Sequence, residues 1–185
     1  MINKIKIYSR MGLEHGVLTG GYLFPEKKSD WYLISIHTRD TEEDVLCKGV
    51  FADVLPKIRC KGYVSVQFWD ILETHLTDQF VNRYPEYKLF DEDDARKIIA
   101  FIDKANAATA NSSLVVHCDA GISRSGAVGT FACDYLGLDY MTFKEMNRNI
   151  RPNVYVSNIL YRIAGMRGSA QKENVEKYVD ESVWL

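Results

Sequence analysis

Hydrophobic and polar residues follow two different periods along the chain, one typical of strands and one typical of helices. Lys4–Tyr8 alternates polar and apolar residues, which predicts an edge strand. Trp31–His37 and Tyr63–Trp69 are rich in β-branched and aromatic residues, and this composition favours two further strands. Leu114–His117 is apolar until its last residue, as is typical of a strand that is buried on both faces in the centre of a sheet.

Helical patterns separate and follow these strands. Five helices are predicted from apolar residues spaced three or four positions apart and from residues that start or stop helices. They are Thr41–Leu55, a helix from Asp91–Asp94 to Ala105, Arg124–Leu136 with Gly137 as its carboxyl cap, Thr142–Ile150 opened by a capping box of Thr142 and Glu145, and Val156–Met166. Alternating strands and helices predict an α/β fold with a mostly parallel central sheet flanked by helices, in one domain over residues 1–185.

Composition and charge exclude several classes of protein. Hydrophobic residues make up 46% of the chain and charged residues 26%, which is globular rather than disordered or fibrous composition. The net charge is −2, so no extended surface for nucleic acid or anionic membrane is expected. The amino terminus carries charges where a secretory leader needs apolar residues, and no apolar run approaches the length of a membrane span. We therefore expect a cytoplasmic protein.

The cysteines and histidines do not have the spacing of a metal site. No two cysteines form a Cys-x-x-Cys pair, and the histidines are scattered, so neither a metal nor another cofactor is expected. A chain of this length can bury an adequate core without disulfides, and the thiols are expected to be reduced. The residues concerned are Cys47, Cys60, Cys118, Cys133, His15, His37, His75 and His117.

The segment between the strand Leu114–His117 and the next predicted helix has the features of an anion-binding loop. It reads HCDAGISRSG, with Cys118 directly after the strand and Arg124 in the first turn of the helix. A short loop containing Gly121 can turn several backbone N–H groups inward, and the helix dipole adds positive charge at the same point. Arg124 supplies a planar fork for two oxygens of a tetrahedral oxyanion. These features would stabilise a thiolate at Cys118 and aim it at a bound phosphorus atom.

VVHCDAGISRSG resembles the signature loop of the cysteine-based protein tyrosine phosphatases, and the chain is similar in size and loop position to their compact, dual-specificity-like branch of bacterial and viral enzymes. The resemblance implies a phosphatase fold and catalysis through a phosphocysteine intermediate. It implies that Cys118 is the nucleophile, that Arg124 and the loop N–H groups bind the phosphate oxygens, that Ser125 assists departure of the thiolate, and that His117 orders the loop. The phosphate-binding residues are then Asp119, Ala120, Gly121, Ile122, Ser123 and Arg124.

The family also uses an aspartate as general acid, and the sequence offers several carboxylates for this role. Asp70 follows the predicted strand VSVQFW and has the strand-end position that a rigid acid requires. Its spacing to Cys118 is longer than is usual in the family, and the usual spacing points instead to the region of Asp78, Glu86 and Asp91. Asp70 is the preferred candidate, and the other three remain open.

The resemblance further assigns Asn158 as the residue that buttresses the loop. It implies a phosphorylated protein as partner and substrate: a phosphotyrosyl protein, with phosphoseryl and phosphothreonyl proteins as an open extension. The loop contains acidic Asp119 and no lysine, which argues against phosphoinositides. The alternative is a catalytically weak phosphatase-like module that binds phosphorylated partners, and the oligomeric state is left open.

Overall fold

The chain forms four strands and five helices in the part that the structure, a computed structural model, describes, namely residues 1–19, 30–38, 60–71, 83, 87–108 and 111–166. None of the described helices has both the length and the apolar character needed to cross a membrane. In chain order the elements are β1 (Ile2–Ser9), α1 (Arg10–Thr19), β2 (Asp30–His37), β3 (Cys60–Gln67), α2 (Glu92–Asn106), β4 (Ser112–Cys118), α3 (Arg124–Tyr135), α4 (Tyr140–Met146) and α5 (Val154–Ile163).

The four strands form one sheet in the order β1-β4-β2-β3, and every neighbouring pair is parallel. This confirms the predicted α/β fold with a parallel sheet, including the edge position of β1 and the internal position of β4. Because all four strands run the same way, their carboxyl ends meet at one edge of the sheet. The segments that follow β2, β3 and β4 are therefore brought together there.

The core lies mainly between the sheet and the helices α2, α3 and α5. Leu114 and Val116 of β4 pack in one cluster with apolar residues of these helices, among them Ile98, Phe131 and Leu160. Side chains on a strand alternate between the two faces, and the intervening residues of β4 are buried as well. Burial on both faces explains why this strand is apolar without alternation.

The helix boundaries correct part of the sequence prediction. Helix α4 begins at Tyr140 rather than Thr142, because Asp139 caps its amino end by accepting a hydrogen bond of 2.7 Å from the Thr142 N–H. The helix ends at Met146. The predicted capping box of Thr142 and Glu145 is therefore wrong. The C-cap of α3 is Leu136 rather than Gly137, and Gly137 follows it with φ +65°, the left-handed conformation in which glycine commonly ends a helix.

Other differences concern elements that the sequence pattern marks weakly. Helix α1 has no counterpart among the predicted elements, because Gly12 and Gly16 weaken its helical signal. Strand β3 ends at Gln67 rather than Trp69, so Asp70 lies three residues beyond the strand rather than directly after it. The predicted helix Thr41–Leu55 lies outside the described residues.

Candidate active site

Cys118 and Arg124 stand at the two ends of a loop that joins the most buried strand to a buried helix. Cys118 is the last residue of β4, whose seven residues are all buried, and Arg124 is the first residue of α3. Their exposed fractions are 1% and 4%. Strand β4 is paired on both sides, by β1 and by β2. The sulfur is therefore carried by a strand that both neighbours hold in place.

The loop between them places polar groups around the sulfur. The backbone N–H of Gly121 points to the Cys118 Sγ at 3.3 Å, and the Ser125 Oγ lies 3.1 Å from the same atom. Gly121 adopts φ +73°, the left-handed conformation that glycine enters without strain. An inward-turned N–H, a hydroxyl and a helix amino terminus together favour negative charge on the sulfur and on any group bound above it.

Backbone hydrogen bonds anchor the loop from two sides. On one side the Arg10 N–H donates to the Asp119 carbonyl at 3.1 Å, where β1 passes into α1. On the other side the Arg151 N–H donates to the Ile122 carbonyl at 3.1 Å and the Asn153 N–H donates to the Ser123 carbonyl at 3.2 Å. The loop is therefore held by segments that lie more than twenty residues away along the chain.

The guanidinium of Arg124 is held by residues that follow three neighbouring strands. Its Nη1 donates to the Thr38 Oγ1 and to the Phe68 carbonyl, both at 2.9 Å, and its Nη2 donates to the Asp119 Oδ2 at 2.6 Å. Its Nε is buried and has no hydrogen-bond partner within the described residues. The Asp70 Oδ2 lies 3.8 Å from this Nε.

Asp119 is ionised in this arrangement. Partial burial would raise the pKa of Asp119, but hydrogen bonds from Arg124 and Thr38, together with the charges of Arg124 and Arg10, hold the pKa below its ordinary value. The Thr38 hydroxyl donates to the same Asp119 oxygen at 2.8 Å. A carboxylate thus stands inside the loop beside the arginine.

Asp70, the preferred candidate for the general acid, lies beside the loop. Its Oδ1 accepts hydrogen bonds from the Ser123 Oγ at 2.7 Å and from the Asn153 Nδ2 at 2.8 Å, and its side chain is 37% exposed. Asp91 instead caps helix α2 by accepting a hydrogen bond of 2.9 Å from the Asp94 N–H. The other candidates, Asp78 and Glu86, lie outside the described residues.

His117 is buried on the opposite side of β4 from the sulfur, because adjacent strand residues face opposite ways. Its Nε2 lies 2.8 Å from the Ser35 Oγ. Burial lowers the pKa of His117 to about 4, so the imidazole is neutral at physiological pH. A neutral ring bonded to a buried hydroxyl fits a supporting residue better than a catalytic base.

Asn153 is a site residue that the sequence interpretation missed. It is 2% exposed, and its Nδ2 donates to both the Asp70 Oδ1 and the Ile71 carbonyl, the latter at 3.0 Å. Its Oδ1 accepts from the Val156 N–H at 3.1 Å and so caps α5. The Pro-Asn pair ahead of an apolar helical pattern was a signal that could have nominated it. The buttressing role assigned to Asn158, half-buried on α5, stays a prediction.

Two other described cysteines have unreactive surroundings. Desolvation by burial raises the pKa of Cys60 to about 11 and that of Cys133 to about 12, and negative charges near Cys133 act in the same direction. Each thiol donates only to a backbone carbonyl, Cys60 to Gly62 and Cys133 to Leu138. Cys118 alone among the described cysteines lies on a loop lined with donors. Cys47 lies outside the described residues, and these contain no group of three or more His, Cys, Asp and Glu placed to hold a metal ion.

Comparison with known proteins finds a family and a number of solved structures of low sequence identity, among them the following three. The chain is similar to the crystal structure of PTPMT1 in complex with PI(5)P, with 12% identity, a TM-score of 0.49, and coverage of 86% of this chain and 89% of that one. It is similar to the crystal structure of a mutant form of Tk-PTP (14% identity, TM-score 0.44, coverage 88% and 89%). It is also similar to the human tyrosine phosphatase-like serine/threonine/tyrosine-interacting protein (16% identity, TM-score 0.43, coverage 81% and 86%).

The sequence evidence is firmer than these structural likenesses. No curated protein sequence matches the chain significantly. The profile of the family described as protein-tyrosine phosphatase, however, matches residues 81–175, slightly more than half of the 185 residues. Because the matched region contains the whole loop from Cys118 to Arg124, and because that loop has the geometry set out above, the chain belongs to the protein-tyrosine phosphatase family, within the superfamily of cysteine-based phosphatases.

Proposed function

We propose that this phosphatase hydrolyses phosphotyrosyl proteins through a phosphocysteine intermediate. The observation that carries the proposal is the convergence of three groups on one loop. These are the buried sulfur of Cys118, the buried guanidinium of Arg124, and the exposed carboxylate of Asp70. The Arg124 Nε–H has no hydrogen-bond partner among the described residues, and the Asp70 Oδ2 lies 3.8 Å from this Nε. A nucleophile, an oxyanion binder and a proton donor are the three parts that a phosphate monoester requires.

In the first step the Cys118 thiolate attacks phosphorus and the bond to the ester oxygen breaks. The carboxyl group of Asp70 gives a proton to the departing phenolate oxygen. The loop N–H groups and the guanidinium of Arg124 bind the non-bridging oxygens while negative charge spreads over these oxygens. The phosphoryl group is then attached to sulfur, and the alcohol form of the leaving group departs.

In the second step water attacks phosphorus and the sulfur–phosphorus bond breaks. The Asp70 carboxylate takes a proton from the water, which restores the acid, and the sulfur leaves as a thiolate. The Ser125 hydroxyl, 3.1 Å from the Cys118 Sγ, is placed to donate a hydrogen bond to that developing thiolate. The products are inorganic phosphate and free enzyme, and the step consumes one water molecule.

Two features support a phosphotyrosyl substrate. Trp69, next to Asp70 in the chain, stacks on Tyr87 with ring centroids 4.1 Å apart, and both residues are half-buried, so an aromatic surface adjoins the acid. Such a surface suits the phenyl ring of phosphotyrosine. The carboxylate of Asp119 inside the loop adds negative charge, which disfavours a polyanionic inositol headgroup.

The proposal is tested with p-nitrophenyl phosphate and with a phosphotyrosyl peptide. Wild type should hydrolyse both, Cys118→Ser should lose turnover and retain binding of the peptide, and Arg124→Ala should lose both turnover and binding. Trapping with radiolabelled substrate should give one phosphoryl group per chain in wild type and none in Cys118→Ser. Turnover that persists in Cys118→Ser would contradict the mechanism.

Substrate class is tested by comparing catalytic efficiencies. The same peptide is prepared with phosphotyrosine, phosphoserine or phosphothreonine, and a phosphoinositide is presented in mixed micelles. We expect the highest kcat/KM for the phosphotyrosyl peptide. A higher value for the phosphoinositide would replace the proposed protein substrate by a lipid. Binding of the phosphotyrosyl peptide by wild type without turnover would identify a recognition module instead of an enzyme.

A further inference from the structure

The hydrogen bonds of Arg124 divide its guanidinium into an occupied edge and a free edge. A guanidinium has five N–H donors in a fixed plane. Two donors, both on Nη1, go to the Thr38 Oγ1 and the Phe68 carbonyl, and a third, on Nη2, goes to the Asp119 Oδ2. The Nε–H is buried without a partner in the described part of the chain. The donors left for a ligand are therefore the Nε–H and the second N–H of Nη2.

Thr38 and Asp119 close one edge of the plane together. The Thr38 Oγ1 accepts from Nη1 and donates to the Asp119 Oδ2 at 2.8 Å, while the same Asp119 oxygen accepts from Nη2 at 2.6 Å. The three residues thus form a closed ring of hydrogen bonds along the edge between Nη1 and Nη2. The two remaining donors lie on the other edge, in the parallel fork that matches two oxygens of one oxyanion.

We infer that Thr38 and Asp119 are positioning residues that hold the Nε–Nη2 edge of Arg124 toward the phosphoryl oxygens of the substrate. The inference rests on the proposed function, because it deepens the role of Arg124 in that reaction. The two residues follow β2 and β4, which are neighbours in the sheet, so the ring of hydrogen bonds joins two strand ends. Asp119 is anchored a second time, since its carbonyl accepts from the Arg10 N–H.

The position of Asp119 on the occupied edge of the guanidinium determines whether removal of its carboxylate weakens or tightens oxyanion binding. A carboxylate that stood in the place of the phosphate would compete with substrate, and its removal would tighten binding of oxyanions. Asp119 stands instead on the edge that Thr38 closes. On the other edge the Nε–H has no hydrogen-bond partner in the described residues, and the Asp70 Oδ2 lies 3.8 Å from this Nε. Removal of the Asp119 carboxylate should therefore weaken oxyanion binding, because a guanidinium that is free to rotate no longer holds its Nε–Nη2 edge toward the oxyanion.

The experiment compares matched substitutions at the two positions. Thr38→Val removes the hydroxyl at nearly constant shape, and Thr38→Ser keeps it. Asp119→Ala removes the carboxylate, and Asp119→Asn keeps an acceptor without its charge. Asp93→Asn neutralises a carboxylate that is 94% exposed on α2 and should behave as wild type. The measurements are kcat and KM for p-nitrophenyl phosphate, the inhibition constant of orthovanadate, and the thermal unfolding temperature.

We expect kcat/KM to fall roughly 10- to 100-fold in Asp119→Ala and Thr38→Val, with a parallel weakening of orthovanadate. Asp119→Asn should fall less than Asp119→Ala, and Thr38→Ser should recover most of the activity that Thr38→Val loses. A purely structural role would lower the unfolding temperature and the fraction of active enzyme and leave the inhibition constant of orthovanadate unchanged. Should Asp119→Ala fail to fold, the Val and Ser variants of Thr38 make the same comparison.

Three results would overturn the inference. They are tighter binding of orthovanadate in Asp119→Ala, an unchanged inhibition constant in both Asp119→Ala and Thr38→Val, and equal activity of the Ser and Val variants of Thr38. Failure of the proposed function looks different, because wild type itself would then show no turnover of any phosphate ester. Binding of orthovanadate could still be compared among the variants through the rise it causes in the thermal unfolding temperature.

Discussion

Replacement of Gly121 by alanine tests how closely the phosphate loop is packed against the start of the chain. A Cβ built at this glycine would lie 2.5 Å from the Ser9 backbone nitrogen and 2.6 Å from the Tyr8 carbonyl carbon. Ordinary van der Waals contacts begin at about 3.4 Å. Because both contacted atoms belong to the backbone, no side-chain rotation can relieve the overlap. Either the loop or the junction of β1 and α1 has to move.

The loss of stability expected for Gly121→Ala has two parts, and Gly137→Ala is a control that separates them. A residue with a side chain in the left-handed region costs about 1–2 kcal/mol, and this applies equally to Gly121 at φ +73° and Gly137 at φ +65°. Gly137 has open space around its Cβ position, so this part is its whole cost. At Gly121 the overlap adds about 1–3 kcal/mol, as overpacking of a close-packed site does. Gly121→Ala should therefore lower the free energy of unfolding by about 2–5 kcal/mol and Gly137→Ala by about 1–2 kcal/mol.

Urea unfolding of both variants measures these values, and steady-state kinetics with p-nitrophenyl phosphate measures the effect on the site. The Gly121 N–H points to the Cys118 Sγ, so a shift of the loop by about 1 Å should lower kcat/KM by about 10²-fold. Gly137→Ala should leave kcat/KM unchanged. Equal losses of stability in the two variants, with full activity in Gly121→Ala, would refute the close packing of loop and junction.

Three further predictions concern the groups around the loop. Asp70→Asn should lower kcat for phosphotyrosine by about 10²-fold or more and should lower it less for p-nitrophenyl phosphate, whose leaving group needs less protonation; equal losses in steady-state assays would argue against a general acid. Asn153→Ala should lower the free energy of unfolding by about 1–3 kcal/mol, through loss of the α5 cap and of a buried donor to Asp70, and should lower kcat as well; an unchanged urea midpoint would contradict this role. Burial lowers the pKa of His117 from 6.5 to about 4, so the unfolded chain takes up a proton that the folded protein does not. The free energy of unfolding should therefore be full above pH 6.5 and should fall by up to about 3 kcal/mol as the pH decreases toward 4, and urea titrations at several pH values should show a flatter slope in His117→Asn.

The parts of the site that lie within one segment of chain could be predicted from the sequence. Cys118, Gly121 and Arg124 stand at fixed spacings between an apolar strand and a helix, and short spacing together with strand and helix geometry determines their arrangement. The parallel sheet followed from the alternation of strands and helices for the same reason. Local pattern carries this information because neighbouring residues share one element.

The parts of the site that join distant segments could not be predicted in the same way. Asn153 reaches Asp70 across 83 positions, and Arg124 reaches Thr38 across 86. No local pattern encodes such a pairing, since it depends on the order of strands in the sheet and on where each following segment turns. The place of Asp70 after a strand is a local signal in the sequence, whereas its contacts with Ser123 and Asn153 depend on how distant segments fold together.

The burial of β4 has a consequence for how the molecule opens. A strand that is paired on both sides and covered on both faces exchanges its amide hydrogens only when the whole sheet comes apart, whereas edges and surface segments exchange through small local openings. The nucleophile sits at the end of this most protected strand, while Asp70 follows β3, an edge strand of the described sheet, and its side chain is 37% exposed. Local opening therefore frees Asp70 at a lower free energy than it frees Cys118. A protein in which the segment around Asp70 has loosened still has an intact phosphate loop.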